Sequence, residues 1–344
     1  MTTRINLALQ GGGAHGAFTW GVLDRLLQDE TIEIAGISGT SAGALNGAAL
    51  KAGWLEDRHK GARASLDALW AQVGMVGDMR LNAWMRPVMP FAAAVSSAWE
   101  SAFPISPQGI AAQIISPYAF GPAWRNPLEP VVRRLDFSKV CAKEGPRLFI
   151  NATNVRDGHI GVFTGQKITA NALLASGCLP TVFQAVEEPD PETGAMETWW
   201  DGGYSGNPAL FPLYEKGLPD DIVIVAINPF RREEIPTTPM DIQSRINEIS
   251  FNAPLLRDLR AIAFVQRLLR QGKLEKGSMK DVALHMISDD ALMNDLSGSS
   301  KMLPSPWLLH RLKTAGRAAA SAFLEGHRGD LGTQGSFDPR RILD

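Results

Sequence analysis

The chain of 344 residues is 45% hydrophobic and 20% charged, with a formal net charge of −2 and both signs interspersed. Such a composition can bury a sizeable core; it excludes a disordered or fibrous chain and offers no global field to attract nucleic acid or an anionic membrane. The two cysteines, Cys141 and Cys178, are far apart and lack metal-ligand spacing, which fits reduced, mostly buried thiols in a cytoplasmic protein.

Residues 5–9, INLAL, follow MTTR almost directly and read as a buried strand rather than as the charged start and apolar core of a signal peptide. A helix is expected over 17–29, a second strand over 32–38 (IEIAGIS) and a second helix over 42–53. Strand, Gly-rich turn, helix, strand, sharp turn, helix implies parallel strands with right-handed crossovers. Residues 76–130, rich in Pro, Trp and Met, interrupt this rhythm and read as an insertion over one edge of the sheet. Its Trp84, Met85, Met89, Phe91, Trp99, Phe103 and Trp124 could cover a site as a lid, dip into a lipid interface, or form a satellite core. The apolar stretch 89–99 falls short of the roughly 20 residues a spanning helix needs.

Further strands are expected at 147–155 (RLFINATNV), 198–200 (TWW) and 221–228 (DIVIVAIN). A helix over 255–270 places Leu255, Leu259, Ile262, Val265 and Leu269 on one face with Arg260, Arg267 and Arg270 roughly opposite, and packing against the domain is expected ahead of membrane docking. The predicted fold is α/β, three-layered α/β/α with a mostly parallel central sheet. One domain is expected over 1–325, with 326–344 as a loose tail.

Gly11, Gly13 and Gly16 satisfy the G-x-G-x-x-G spacing of a dinucleotide site. Such a site also wants an acidic residue at the end of the next strand, and here that strand ends instead in Gly39-Thr40-Ser41-Ala42-Gly43. This is G-x-S-x-G between strand and helix, where a strained turn lifts the Ser41 hydroxyl clear and Gly39 and Gly43 avoid clashes. The Ala42 amide at the head of the helix, with the Gly12 and Gly13 amides of the first loop, would form an oxyanion hole. Either motif alone also fits a tight turn; their adjacency in successive βα units favours one shared site. For a base, Trp199-Trp200-Asp201-Gly202-Gly203 delivers a carboxylate to the end of an apolar run. With an ordinary pKa of about 3.9, Asp201 would need desolvation to become basic enough.

At these residues the sequence resembles the patatin-like phospholipases, which are lipid acyl hydrolases. The likeness rests on GGGAHG (11–16), GTSAG (39–43), ASGCLPTVF (175–183) and DGGYSGNPA (201–209), in the family's order, and extends more weakly to about residue 325. It implies a patatin-like fold and a Ser–Asp dyad, with Ser41 as nucleophile, Asp201 as base and an oxyanion hole at Gly11, Gly12 and Gly13. Ser176, Pro180 and Asn207-Pro208 are read as structural supports. Many members carry Arg or Lys in the first loop, where this chain has Ala14-His15.

His15 is expected to face outward, partly solvated. The other histidines, His59, His159, His285, His310 and His327, are scattered without metal spacing, and no metal or cofactor is implied. The expected function is a serine esterase on lipid acyl esters, of phospholipase A or lysophospholipase type. An α/β-hydrolase triad using His285 or His310 is disfavoured because Ser41 falls already in the second βα unit. A lipid-binding protein without turnover is the remaining alternative. The expected partner is a lipid or other acyl ester, without nucleic acid; the expected location is cytoplasmic, with peripheral membrane contact left open.

Overall fold

A computed structural model describes residues 2–82, 116–123, 126–275, 277–296 and 298–343. Among the described residues eight strands form a single sheet: β1 (Thr3–Leu9), β2 (Ile32–Thr40), β3 (Arg147–Asn154), β4 (Ile160–Thr164), β5 (Val186–Pro189), β6 (Met196–Asp201), β7 (Asp221–Val225) and β8 (Ala283–Ile287). The run β3-β2-β1-β7-β8 is parallel, whereas β4 and β6 join β3 antiparallel and β5 joins β6 antiparallel. The sheet is therefore mixed and mostly parallel, as the α/β reading expects.

Both faces are covered, so the central strands are apolar at successive positions rather than at alternate ones. Along β7, Ile222 and Ile224 enter one apolar layer while Val223 and Val225 enter the other. Helices α1 (Gly16–Leu26), α2 (Ala42–Asn82), α3 (Ala170–Ser176) and α5 (Pro306–His327) contribute to the larger layer; α4 (Pro239–Arg270) contributes Leu255, Leu259 and Ile262 to the smaller. Non-helical torsions at Asp57 and Arg58 divide α2 into two arms.

The register on β3 positions the site. β4 pairs with residues 149–153 along one edge of β3. Along the other edge lie β2 and then β6, end to end, with Thr40 opposite Asn151 and Asp201 opposite Ala152. The last residue of β2 and the last residue of β6 thus meet at adjacent positions of one strand.

Several elements depart from expectation. The short strands β4, β5 and β8 were not anticipated, and β8 carries His285 in its centre. Helix α4 begins well before residue 255, where Thr238 caps it by accepting from the Asp241 amide. Its expected packing face holds: Leu255, Leu259 and Ile262 are buried, with Val265 and Leu269 half-buried. The tail, described over 326–343, is docked rather than loose. Leu331 is buried, the Phe337 amide donates to the Leu284 carbonyl at 2.9 Å and the Gly332 amide donates to Asp221 Oδ1 at 2.8 Å. Apolar residues and strand-edge hydrogen bonds hold this segment, which polar composition alone conceals.

Both cysteines are free and buried. No helix among the described residues is long and apolar enough to cross a membrane. The lid candidates Trp84, Met85, Met89, Phe91, Trp99, Phe103 and Trp124 lie outside the described residues.

Candidate active site

Ser41 sits between β2 and α2 with φ 53, a left-handed backbone that a residue bearing Cβ adopts at a cost of about 1–3 kcal/mol. Its surroundings hold it there. The Ser41 amide donates to Ser176 Oγ at 2.9 Å, and its carbonyl accepts from the Leu45 amide at 3.1 Å. Next to it, Thr40 Oγ1 donates to the Gly206 carbonyl at 2.7 Å and accepts from Asn151 Nδ2 at 3.0 Å. A Cβ at Gly43 would strike the Leu9 carbonyl, so that position must be bare for α2 to start against β1. The Ser41 side chain remains half-buried and open to a ligand.

Asp201 is the opposite case, only 1% exposed at the end of β6. Its amide donates to the Cys178 carbonyl at 2.8 Å and its own carbonyl accepts from Thr153 Oγ1 at 2.8 Å. The carboxylate accepts the Gly203 amide at 2.8 Å through Oδ1 and lies close enough to the Ser41 hydroxyl for that group to favour its ionised form. Burial pushes this carboxyl up to about 7, the Gly203 amide and the Ser41 hydroxyl opposing the shift without cancelling it. Burial and the nearby Asp201 also push the Cys178 thiol up to about 12, so it stays protonated.

The Gly-rich loop closes the third side. A Cβ on Gly11 would stand 2.7 Å from both Ser41 Cβ and the Thr40 carbonyl oxygen, so loop and elbow touch through bare backbone. The Gly11 amide donates to Asn207 Oδ1 at 2.7 Å and is therefore occupied. The amides of Gly12, Gly13 and Ala42 meet no acceptor among the described residues. Buried amide side chains brace the loop: Gln10 Oε1 accepts from the Ile227 amide at 2.8 Å and the Asn228 amide at 3.0 Å, and Asn228 Nδ2 donates to the Gly11 carbonyl at 2.8 Å.

His15 is not the outward, solvated residue the sequence suggests. It is 1% exposed, with Nε2 2.7 Å from Ser300 Oγ and Nδ1 without a hydrogen-bond partner among the described residues. Burial, reinforced by the Lys301 charge, pushes its pKa down to about 3, so the imidazole is neutral. The cause is a segment distant in sequence, residues 298–302, which folds over the loop. Of the triad candidates, His310 is exposed on α5. His285 is fully buried between Asp221, Nε2 to Oδ1 3.0 Å, and Ser336, Nδ1 to Oγ 2.9 Å. Neither histidine is a partner of Ser41.

The structure brings Ser41, Asp201, Gly11, Gly12, Gly13, Ala42, Gly39 and Gly43 into one neighbourhood. Sequence reading overlooked Gly177, whose absent Cβ would lie 3.6 Å from Ser41 Oγ, and the braces Gln10 and Asn228. ASGCLPTVF contains the first. Buried polar braces carry no periodic signal and were not readable. Among the described residues no group of three or more His, Cys, Asp or Glu side chains is placed to hold a metal ion.

A family described as patatin-like phospholipase matches residues 7–214. No curated protein matches the chain. Among solved structures the chain is similar to VipD from Legionella pneumophila, at 14% identity and a TM-score of 0.42, over 94% of this chain and 67% of that one.

Proposed function

The chain belongs to the patatin-like phospholipase family, a family of lipid acyl hydrolases, and from that premise we propose that it is a serine esterase working through Ser41 and Asp201 alone. The observation that carries the reading is the half-buried Ser41 hydroxyl beside a buried carboxylate whose pKa is raised to about 7. Such a carboxylate is a far better proton acceptor than an ordinary one. As Ser41 Oγ attacks the ester carbonyl, its proton passes to Asp201. The tetrahedral oxyanion is held by the Gly12, Gly13 and Ala42 amides, with α2 adding the positive end of its dipole. Asp201 returns the proton to the departing alcohol oxygen. A water then gives its proton to Asp201 and attacks the acyl-enzyme, and Asp201 returns that proton to Ser41 Oγ as the acid leaves.

The proposed domain is 1–325, with the 326–343 segment docked on β8. Peripheral membrane contact is supported by Ile242, Ile246 and Ile249, exposed along one face of α4, the helix that also sets Phe251 against Gly203.

Two measurements test this reading. A fluorophosphonate probe should add one mass adduct, mapping to Ser41, and a panel of acyl esters of graded chain length should be hydrolysed. On any of these esters kcat/KM should rise with pH through an apparent pKa near about 7, because only ionised Asp201 accepts the proton. Absence of an adduct at Ser41 would remove the proposal.

His285→Gln should lower the melting temperature, since Asp221 and Ser336 lose their shared partner, while ester hydrolysis stays within about twofold of wild type. Lost activity at unchanged stability would instead favour a triad.

A further inference from the structure

We propose that Lys301 is a positioning residue of the oxyanion site, its ammonium polarising the Gly11–Gly12 peptide through Asn228. This rests on the esterase reading above. Lys301 Nζ donates to Asn228 Oδ1 at 2.9 Å, and Asn228 Nδ2 donates to the Gly11 carbonyl at 2.8 Å. That carbonyl and the Gly12 N–H belong to one resonant peptide unit. Drawing electron density toward the Gly11 oxygen makes the Gly12 N–H a stronger donor, and hydrogen bonds linked in series strengthen one another in a low-dielectric interior.

The ammonium is placed to act: burial lowers the Lys301 pKa from its ordinary value, and the Glu248 carboxylate opposes that shift. The Lys301 side chain is 16% exposed and faces Glu248 Oε1 at 3.2 Å, whose side chain is 2% exposed. Burial alone would raise the Glu248 pKa, but the Arg232 hydrogen bonds and the charges of Lys301 and Arg232 hold it down at about 2. Glu248 therefore remains a counter-ion, shared with Arg232 at 2.7 Å and Arg245 at 3.3 Å. Three cations surround this one carboxylate, leaving the cluster net positive beside the loop. The same lysine restrains the loop from the other side, because its carbonyl fills the space a Cβ on Gly13 would need. Ala14-His15 puts no fixed charge within the loop, His15 being neutral, and Lys301 brings one from outside it. Asn228, Glu248 and Lys301 all lie beyond the 7–214 segment that matches the family.

The test uses the full chain, a short p-nitrophenyl ester and a fluorophosphonate probe. Lys301→Met removes the charge while Arg232 and Arg245 still pair Glu248. It should lower kcat and the phosphonylation rate about tenfold with KM unchanged, and Lys301→Arg should restore most of the loss. Asn228→Ala should lose as much as Lys301→Met, and the double variant no more than Asn228→Ala, because the two act in series. Unchanged kcat in Lys301→Met overturns the relay. So do a rise in KM at constant kcat, multiplicative losses in the double variant, or a fall in both kcat and melting temperature that Lys301→Arg does not rescue. If Asn228→Ala does not fold, the Met and Arg variants decide alone. Failure of the esterase reading is recognised separately, by wild-type protein that neither hydrolyses the ester nor is labelled at Ser41.

Discussion

Ser41→Ala and Asp201→Asn should each lower kcat on a short-chain ester by about 10⁴- to 10⁶-fold, and the double variant should be hardly worse than either, as for residues that act as one unit. Neither change should unfold the protein. Alanine at 41 keeps the amide bond to Ser176, and asparagine at 201 keeps an oxygen for the Gly203 amide. Asp201→Asn should in fact melt no lower than wild type at pH 8. The folded pKa of Asp201, about 7, lies above its ordinary 3.8, so the folded state holds the proton more tightly than the unfolded chain between those values. Stability contributed by this group therefore falls as pH rises through that window, and above it the protein bears the cost of a buried carboxylate that asparagine does not incur. Thermal melts at pH 5.5 and pH 8 read this directly. Robust turnover by Ser41→Ala would remove the proposed nucleophile.

Gly11→Ala should lower kcat by about 10²- to 10³-fold, the loss expected when an oxyanion donor is misplaced. The added Cβ would meet Ser41 Cβ and the Thr40 carbonyl oxygen at 2.7 Å, atoms of the elbow that cannot swing aside. Loop and elbow must separate, carrying the Gly12 and Gly13 amides away from the position where charge develops. KM should change little, because the ground-state carbonyl carries little of that charge. Gly326→Ala is the matched control: an added Cβ there meets nothing within 4 Å, and activity should be unaffected. Wild-type kcat in a folded Gly11→Ala variant would show that this loop does not serve the transition state.

What was legible beforehand follows from what leaves a local imprint. β1, β2, β3 and β7 are runs of apolar residues bounded by turns, and GTSAG and DGG mark the two strand ends where the chain turns sharply. β4, β5 and β8 are four or five residues long, and β8 reads as ambiguous because His285 occupies its centre. The first half of α4 was missed for a related reason. Its Ile242, Ile246 and Ile249 face outward, and Pro254 interrupts the helical pattern. The site's reacting residues come from motifs and were visible; its braces do not. Asn228 and Lys301 are ordinary polar residues until tertiary structure brings them against Gly11 and Gly13. The burial of His15 was unreadable for the same reason, since the segment that covers it lies nearly three hundred residues away: Ser300 is separated from it by 285 positions.

The end-to-end seating of β2 and β6 on one edge of β3 makes that strand a ruler. Thr40, the residue before Ser41, and Asp201 face β3 positions one backbone step apart, about 3.3 Å, so the strand rather than the length of any loop sets where the two strand ends meet. The long segment between β2 and β3 and the turn leading into β6 can therefore lengthen, shorten or change composition without resetting the reacting pair. A single residue inserted into β3 between Asn151 and Ala152, by contrast, would shift one half of the pair against the other and turn the side chains beyond it to the opposite face.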